Sequence, residues 1–251
     1  MKKELVETAD GTFTARSAEF DECYHSTKDG ALRESLKKHV EPAFRLVDTA
    51  KGSLEILDIC FGLGYNTLTT LLYIQQNGLP LKLHVTSPEM DEELVRSLVD
   101  FPYAAPLQPF KAVIESIAEK GFYEDERLFI EVKFGDAREF LRNTDRSFDI
   151  VYQDAFSPKK NPALWTKEYF TELAAHLKRG AVITTYSCAT PVRLAMEESG
   201  LHLYHPPEGG VRSGTIASPS SSLPLEPIDM ALKRERNPSA HPLTDREVFT
   251  R

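Results

Sequence analysis

Residues 53–67 read SLEILDICFGLGYNT, and the fold turns on them. Leu54, Ile56, Leu57 and Ile59 form an apolar, strand-like run that carries the acidic Asp58 at its end. A turn with Gly62 and Gly64 follows, and then a helix-like run from Tyr65 to Gln76. Strand, glycine turn and helix open the nucleoside- or phosphate-binding half of a doubly wound α/β fold. Glycine lets the backbone pass close beneath a ligand, and the helix start offers unpaired N–H groups. A dinucleotide fingerprint needs a third glycine three residues after the second; here that position is Thr67. The spacing acidic-x-x-x-Gly-x-Gly is closer to a pocket for S-adenosylmethionine (SAM).

The rest of the chain extends the pattern. Asp10-Gly11 between two short alternating runs predicts a β-hairpin over residues 5–17. Residues 30–48 read as an amphipathic helix that Pro42 kinks or breaks. Strands are expected at 54–59, 81–87, 128–134, 148–156 and 181–187, with two short ones in HLYH and SGTIAS. Helices are expected at 65–77, 91–100, 111–120, 166–178 and 190–199, and residues 101–110, with three prolines, as loop. Alternating strands and helices predict a mostly parallel, seven-stranded sheet flanked by helices, with an N-terminal β-hairpin. Three units follow: 1–48 packed on the core, a core over 49–218, and a Pro- and Ser-rich tail over 219–251, partly ordered.

Composition narrows the partners. No apolar run reaches membrane-spanning length, and MKKELVET lacks the apolar centre of a secretory signal. Cys23, Cys60 and Cys188 are isolated and odd in number, which points to a reducing cytoplasm and away from disulfides or structural zinc. The histidines show no metal-binding spacing, so no metal is expected. The net charge is −8, but residues 1–154 hold 18 Lys/Arg against 28 Asp/Glu, and residues 155–251 hold 12 against 10. A local basic face in the second part can meet phosphates although the chain is acidic; ordinary solvated Lys and Arg account for the same counts.

In doubly wound folds ligands sit beyond the carboxyl ends of the strands. Asp58, Glu89, Asp136 and Asp154 all fall there and are expected to converge on one exposed rim. Glu89, past the second strand, suits a ribose diol, because its two oxygens accept two hydroxyl hydrogens. Asp136 reads equally as the N-cap of a short helix over 137–142 or as a ligand contact.

The sharpest motif is QDAFSPKKNPALW, residues 153–165. With it, the chain resembles the methyltransferase half of the MnmC family, which makes 5-methylaminomethyl-2-thiouridine at the tRNA wobble position. The likeness rests on DICFGLGYN (58–66), Ser87-Pro88-Glu89, Gly135-Asp136, the series Asp154, Phe156, Pro158, Asn161, Pro162 and Trp165, then Thr185-Tyr186-Ser187 and Val192-Arg193. Near the N-terminus Asp10-Gly11-Thr12, Tyr24-His25-Ser26, Gly30-Ala31 and Glu34-Ser35 also fit, so it covers roughly residues 8–218. It implies SAM as cofactor, held by Asp58, Gly62, Gly64, Asn66, Glu89 and Asp136. It implies Asp154 as the catalytic group at the acceptor amine, Phe156 or Tyr24 stacked on the uracil, and Lys159 and Lys160 on anticodon-arm phosphates. Buried aromatics are more often core, and Phe156 and Tyr24 also read that way, with Trp165 as an anchor of its loop. No FAD is implied, because the chain has no room for the family's oxidase half; a stand-alone enzyme is expected, with a separate enzyme supplying the aminomethyl substrate. Cys60 stands where the family has glycine, and a cysteine is strained there if the position needs positive φ. Two other readings stay open: a methyl- or aminopropyltransferase acting on a small amine, and a non-catalytic tRNA-binding module.

Overall fold

A computed structural model describes residues 3–207, 211 and 213–250; Met1, Lys2 and Arg251, read above with the N-terminal stretch and the tail, lie outside them. The chain opens with β1 (Glu4–Glu7), β2 (Phe13–Ser17) and β3 (Glu22–Cys23), a three-stranded antiparallel sheet. The predicted hairpin is present as β1 and β2, with β3 added. One continuous helical segment follows: α1 (Ala31–Glu34), a π-helical turn (Ser35–Val40) and α2 (Glu41–Phe44).

The core then alternates β4 (Ser53–Ile59), α3 (Tyr65–Gln76), β5 (Lys82–Glu89), α4 (Glu92–Ser97), α5 (Lys111–Lys120), β6 (Phe122–Glu124), β7 (Leu128–Phe134), α6 (Ala137–Asn143), β8 (Phe148–Gln153), α7 (Lys167–Ala175), β9 (Leu177–Thr185), α8 (Thr190–Glu198), β10 (His202–Tyr204) and β11 (Thr215–Ser218). Two helices, α9 (Met230–Arg236) and α10 (Asp245–Phe249), end it. The sheet order is β10-β11-β9-β8-β4-β5-β7-β6. Its five central strands are parallel, and β6, β10 and β11 pair antiparallel.

The sheet thus has eight strands where seven are predicted. The extra one, β6, is a three-residue edge strand with Phe122 and Glu124 exposed, too short to show alternation. It turns back into β7 because the Asp125 carboxylate accepts the N–H groups of Arg127 and Leu128. β9 begins at Leu177 rather than 181: Leu177 packs against the core, but Lys178, Arg179 and Gly180 after it are half-buried or exposed and give no apolar run.

Strand β4 is buried on both faces, which explains its near-continuous apolar run. Leu54 and Ile56 join the core on one side of the sheet with α3 and α5; Leu57 and Ile59 join the other with α6, α7 and α8. Ile228, Met230, Ala240 and Leu243 of the C-terminal stretch join this second side, while Leu223 packs on the first. Buried Arg138 of α6 donates to both carboxylate oxygens of Asp245, and the Lys167 N–H to the Leu243 carbonyl.

Candidate active site

A cleft of about 1400 Å³ lies at the carboxyl ends of β4, β5, β7 and β8, roofed by the N-terminal sheet. The turn after β4 forms its floor. Three alternate residues there have left-handed backbones: Cys60 (φ 68°), Gly62 (φ 53°) and Gly64 (φ 73°). Space as well as conformation demands the glycines. A Cβ on Gly62 would come 3.1 Å from the Tyr24 ring, and one on Gly64 3.0 Å from Phe61. Cys60 meets the condition under which a side chain is strained, a cost of about 1–2 kcal/mol. Burial, with the charges of Glu89, Asp154, Asp58 and Asp136 around it, pushes its thiol well above the ordinary range, so it stays protonated.

Glu89, at the end of β5, accepts the Gly62 N–H on Oε2 and the Asp91 N–H on Oε1, both at 2.8 Å. Burial raises its pKa despite these bonds. Each oxygen keeps a second lone pair, which is what two ribose hydroxyls require. Asp136 is the N-cap that the sequence allows, taking the Arg138 and Glu139 N–H groups on Oδ1 alone, and it also faces the cleft.

Asp58 is set back. It is fully buried, does not line the cleft, and accepts hydrogen bonds from Thr67 (2.9 Å) and Asn66 (3.3 Å). Burial pushes its carboxyl up to about 7, against the Thr67 and Asn66 bonds and with the Asp154 charge adding to it. Gly64 also lies outside the lining, as the residue that starts α3. Asn66 lines the cleft and bridges two acids, donating from Nδ2 to Asp58 and, at 2.9 Å, to Asp154 Oδ2.

Asp154 is not on an exposed rim. Its side chain is only 10% exposed, and its Oδ1 lies 3.3 Å from His39 Nε2. Beyond it the loop is stiffened: Trp165 Nε1 donates to the Phe156 carbonyl and Tyr186 Oη to the Ala155 carbonyl, each at 2.8 Å. Trp165 therefore anchors the loop from the core. Phe156 lines the cleft with its ring stacked on Phe20, centroids 4.6 Å apart, and tilted against Tyr24 at 4.9 Å. Tyr24 covers Gly62 and accepts a 2.7 Å bond from Lys3. Lys159 is exposed at the cleft edge, whereas Lys160 lies outside the lining and pairs with Asp21 at 3.2 Å.

Several residues of this site carried no chemical reading in the sequence. Glu34, buried in the cleft wall, accepts from Lys38 at 2.6 Å and from the Ser26 N–H at 2.7 Å. Burial pushes Glu34 up, but the contact with His25 and the Lys38 ammonium outweigh it and bring it down to about 2. His39 and Thr184 had no local signal at all; their partners lie more than a hundred residues away.

The donor side of the cleft fits a nucleoside sulfonium. It has a floor that a Cβ would fill, carboxylates with free lone pairs at two strand ends, and a buried Asn66 Oδ1 without a partner. Among the described residues no group of three or more His, Cys, Asp or Glu could hold a metal ion, and no helix is long and apolar enough to cross a membrane.

Comparisons with known proteins agree. Residues 106–220 match a family described as S-adenosyl-L-methionine-dependent methyltransferase. An uncharacterized protein of Methanocaldococcus jannaschii is 31% identical over 206 residues, 78% of this chain and 53% of that protein. The tRNA 5-methylaminomethyl-2-thiouridine biosynthesis bifunctional protein MnmC of Pseudomonas fluorescens is 30% identical over 205 residues, 76% of this chain and 31% of that protein. The chain thus spans about half the length of the first relative and under a third of the second. The crystal structure of MNMC2 from Aquifex aeolicus superposes with a TM-score of 0.83 at 31% identity, over 99% of this chain and 80% of that one. With the α/β sheet, the glycine turn and the Asp154 loop in place, the chain belongs to the MnmC family, as a SAM-dependent methyltransferase.

Proposed function

We propose that this methyltransferase acts on the primary amine of 5-aminomethyl-2-thiouridine, or its 2-oxo form, at the tRNA wobble position, giving the 5-methylaminomethyl product. The observation that carries the reading is Asp154: a carboxylate that Asn66 holds at Oδ2 and that His39 Nε2 approaches to 3.3 Å at Oδ1, inside the cleft and beside the turn that would cradle SAM. SAM supplies a methyl group already activated on a sulfonium. Gly62, Asn66, Glu89 and Asp136 would hold it, with Asp58 and Gly64 shaping the turn from behind. An amine must be neutral to attack, so it has to lose a proton that ammonium carries at neutral pH. Asp154 accepts an N–H of the amine, orients its lone pair and takes up or passes on that proton. The N-terminal roof and the braced loop exclude water and align the reactants.

In this reading the described residues of 49–218 carry the chemistry, residues 3–48 roof the cleft and residues 219–250 pack mainly on the far side of the sheet. The partner is the anticodon arm. Lys159 is free to meet a phosphate, Lys160 meets one by releasing Asp21, and Phe156 presents an aromatic surface at the mouth for an extruded base. The likeness to MnmC supports this choice over a small free amine.

The test is direct. The protein is incubated with SAM and tRNA bearing 5-aminomethyl-2-thiouridine, and the digested nucleosides are weighed by mass spectrometry. A gain of one methyl at that nucleoside is expected, with the free nucleoside a far poorer acceptor than whole tRNA. Equal or better methylation of a small free amine overturns the reading.

A further inference from the structure

The helical segment from Ala31 to Phe44 is wound as a π-helix in its middle, Ser35–Val40. Such turns are rare and concentrate at functional sites. The local cause is Pro42, which has no N–H to return to the Lys38 carbonyl and whose ring would strike it in an α-helix. The result is three consecutive buried side chains, Lys38, His39 and Val40. His39 reaches zero exposure between the sheet and the Asp154 loop. Its Nδ1 lies 3.1 Å from Thr184 Oγ1, and its buried Nε2, which makes no hydrogen bond among the described residues, lies 3.3 Å from Asp154 Oδ1. Asn66 Nδ2 donates to the other oxygen, Oδ2, at 2.9 Å. Two side chains from different elements therefore meet the two oxygens of one carboxylate.

We propose that His39 is a positioning residue for methyl transfer: in its Nε2–H tautomer it holds Asp154 Oδ1 while Asn66 holds Oδ2, fixing the carboxylate so that its remaining lone pairs meet the acceptor amine. The inference rests on the reading of Asp154 given above. His39 does not line the cleft and touches no substrate; it acts through Asp154. Thr184 accommodates this tautomer by donating its hydroxyl proton to Nδ1; a hydroxyl could accept from Nδ1–H as readily, so it is the acceptor-only Asp154 that sets the tautomer. The opposite tautomer would leave an imidazole lone pair facing a carboxylate oxygen in a dry site. The 3.3 Å contact is long, as catalytic contacts often are before substrate binds, and closes in the loaded enzyme.

Substitution separates the two ring nitrogens. The amide nitrogen of glutamine falls near the position of Nε2, and that of asparagine near Nδ1. His39→Gln keeps a donor for Asp154; His39→Asn keeps the Thr184 contact and loses Asp154. With tRNA bearing 5-aminomethyl-2-thiouridine, kcat should fall about 100-fold in His39→Asn, the cost of a small misplacement of a reacting group. KM and SAM affinity by calorimetry should stay unchanged, and His39→Gln should lie much closer to the unsubstituted enzyme. Near-native kcat in His39→Asn, or equal loss in both variants, overturns the proposal.

A second readout needs neither acceptor nor the asparagine variant to fold. Long-range ¹⁵N–¹H spectra of the unsubstituted protein, with His39 assigned by its absence from the His39→Gln spectrum, should show the Nε2–H form, and Asp154→Ala should lose that preference. An Nδ1–H form, or a tautomer indifferent to Asp154, overturns it. If the unsubstituted enzyme methylates no tRNA, the substrate assignment fails separately, and these spectra still decide whether His39 holds Asp154.

Discussion

On the side of the cleft nearest the glycine turn, the main chain does the holding. Glu89 takes the N–H groups of Gly62 and Asp91, and Asp136 those of Arg138 and Glu139. Across the cleft, side chains do most of the holding: Asp154 meets Asn66 and His39, and Glu34 meets Lys38 and His25, with the Ser26 N–H added. On the first side the partners lie 2 to 27 residues apart. On the second, Glu34 draws on near neighbours, but Asp154 and His39 are met by segments 88 to 145 residues apart, which come together only once the whole fold has closed. A SAM site can thus be common to many enzymes while the acceptor site is particular to one.

That division can be broken by mutation. Asp154→Ala should have the largest effect, lowering turnover by about 10²–10⁴-fold, the usual worth of a proton-handling group. SAM binding by calorimetry should persist. Because the removed carboxylate leaves Asn66 and His39 facing nothing, urea melts should also show a loss of about 1–3 kcal/mol. Loss of SAM binding would mean that the two sides are not separable.

Glu34→Gln tests the acceptor side as structure. Its pKa is depressed from 4.5 to about 2 in the fold. Its contribution is therefore complete above pH 4.5 and lost as pH falls through about 2. Urea melts at pH 7 should show the variant less stable by about 3 kcal/mol, the shift converted at 1.36 kcal/mol per unit. The gap should close toward pH 2, and a gap that does not change with pH would sink the assignment.

Glu89→Ala tests the donor side. SAM affinity should weaken by about 1.5–3 kcal/mol, the range for hydrogen bonds to a charged group, with kcat at saturation much less affected. An unchanged dissociation constant would take the ribose off Glu89.

Cys60→Gly should have the smallest effect. It relieves a left-handed backbone worth about 1–2 kcal/mol but returns about 0.4–1 kcal/mol of chain entropy to the unfolded state. A net gain of between zero and about 1.5 kcal/mol in urea melts is expected. Cys60→Val, branched at the same φ, should lose stability instead; a neutral valine would mean that the turn is not strained.

The same division governs what the sequence discloses. The turn from Asp58 to Asn66 could be read because its strand, glycines and helix start lie within fifteen residues. The left-handed demand at position 60 could be raised only through the likeness to a family that has glycine there. Asp154 was visible through the unusual loop that follows it, although its depth was not: an acid at a strand end reads as exposed until the residues packed over it are known. His39 was invisible, because a lone histidine on an amphipathic helix carries no sign of Thr184 or Asp154. The π-turn that buries it comes from Pro42, which the sequence marks as a kink without saying which side chains the kink turns inward. Strand β6 was missed because three residues at a sheet edge leave no pattern.

The ion pair between Lys160 and Asp21 bears on how salt would report tRNA binding. A free lysine such as Lys159 meets a phosphate as a bare cation, and the nucleic acid sheds a condensed counterion, so such contacts steepen the fall of affinity with salt, by a slope of about −0.9 per phosphate on duplex. Lys160 already carries its counterion as part of the chain. A phosphate that takes Asp21's place there swaps one anion for another and leaves Asp21, still paired with Arg16, beside a polyanion. The salt dependence would count Lys159 in full and Lys160 only in part, so Asp21→Asn, which frees Arg16 as well as Lys160, would tighten binding at low salt and steepen that slope.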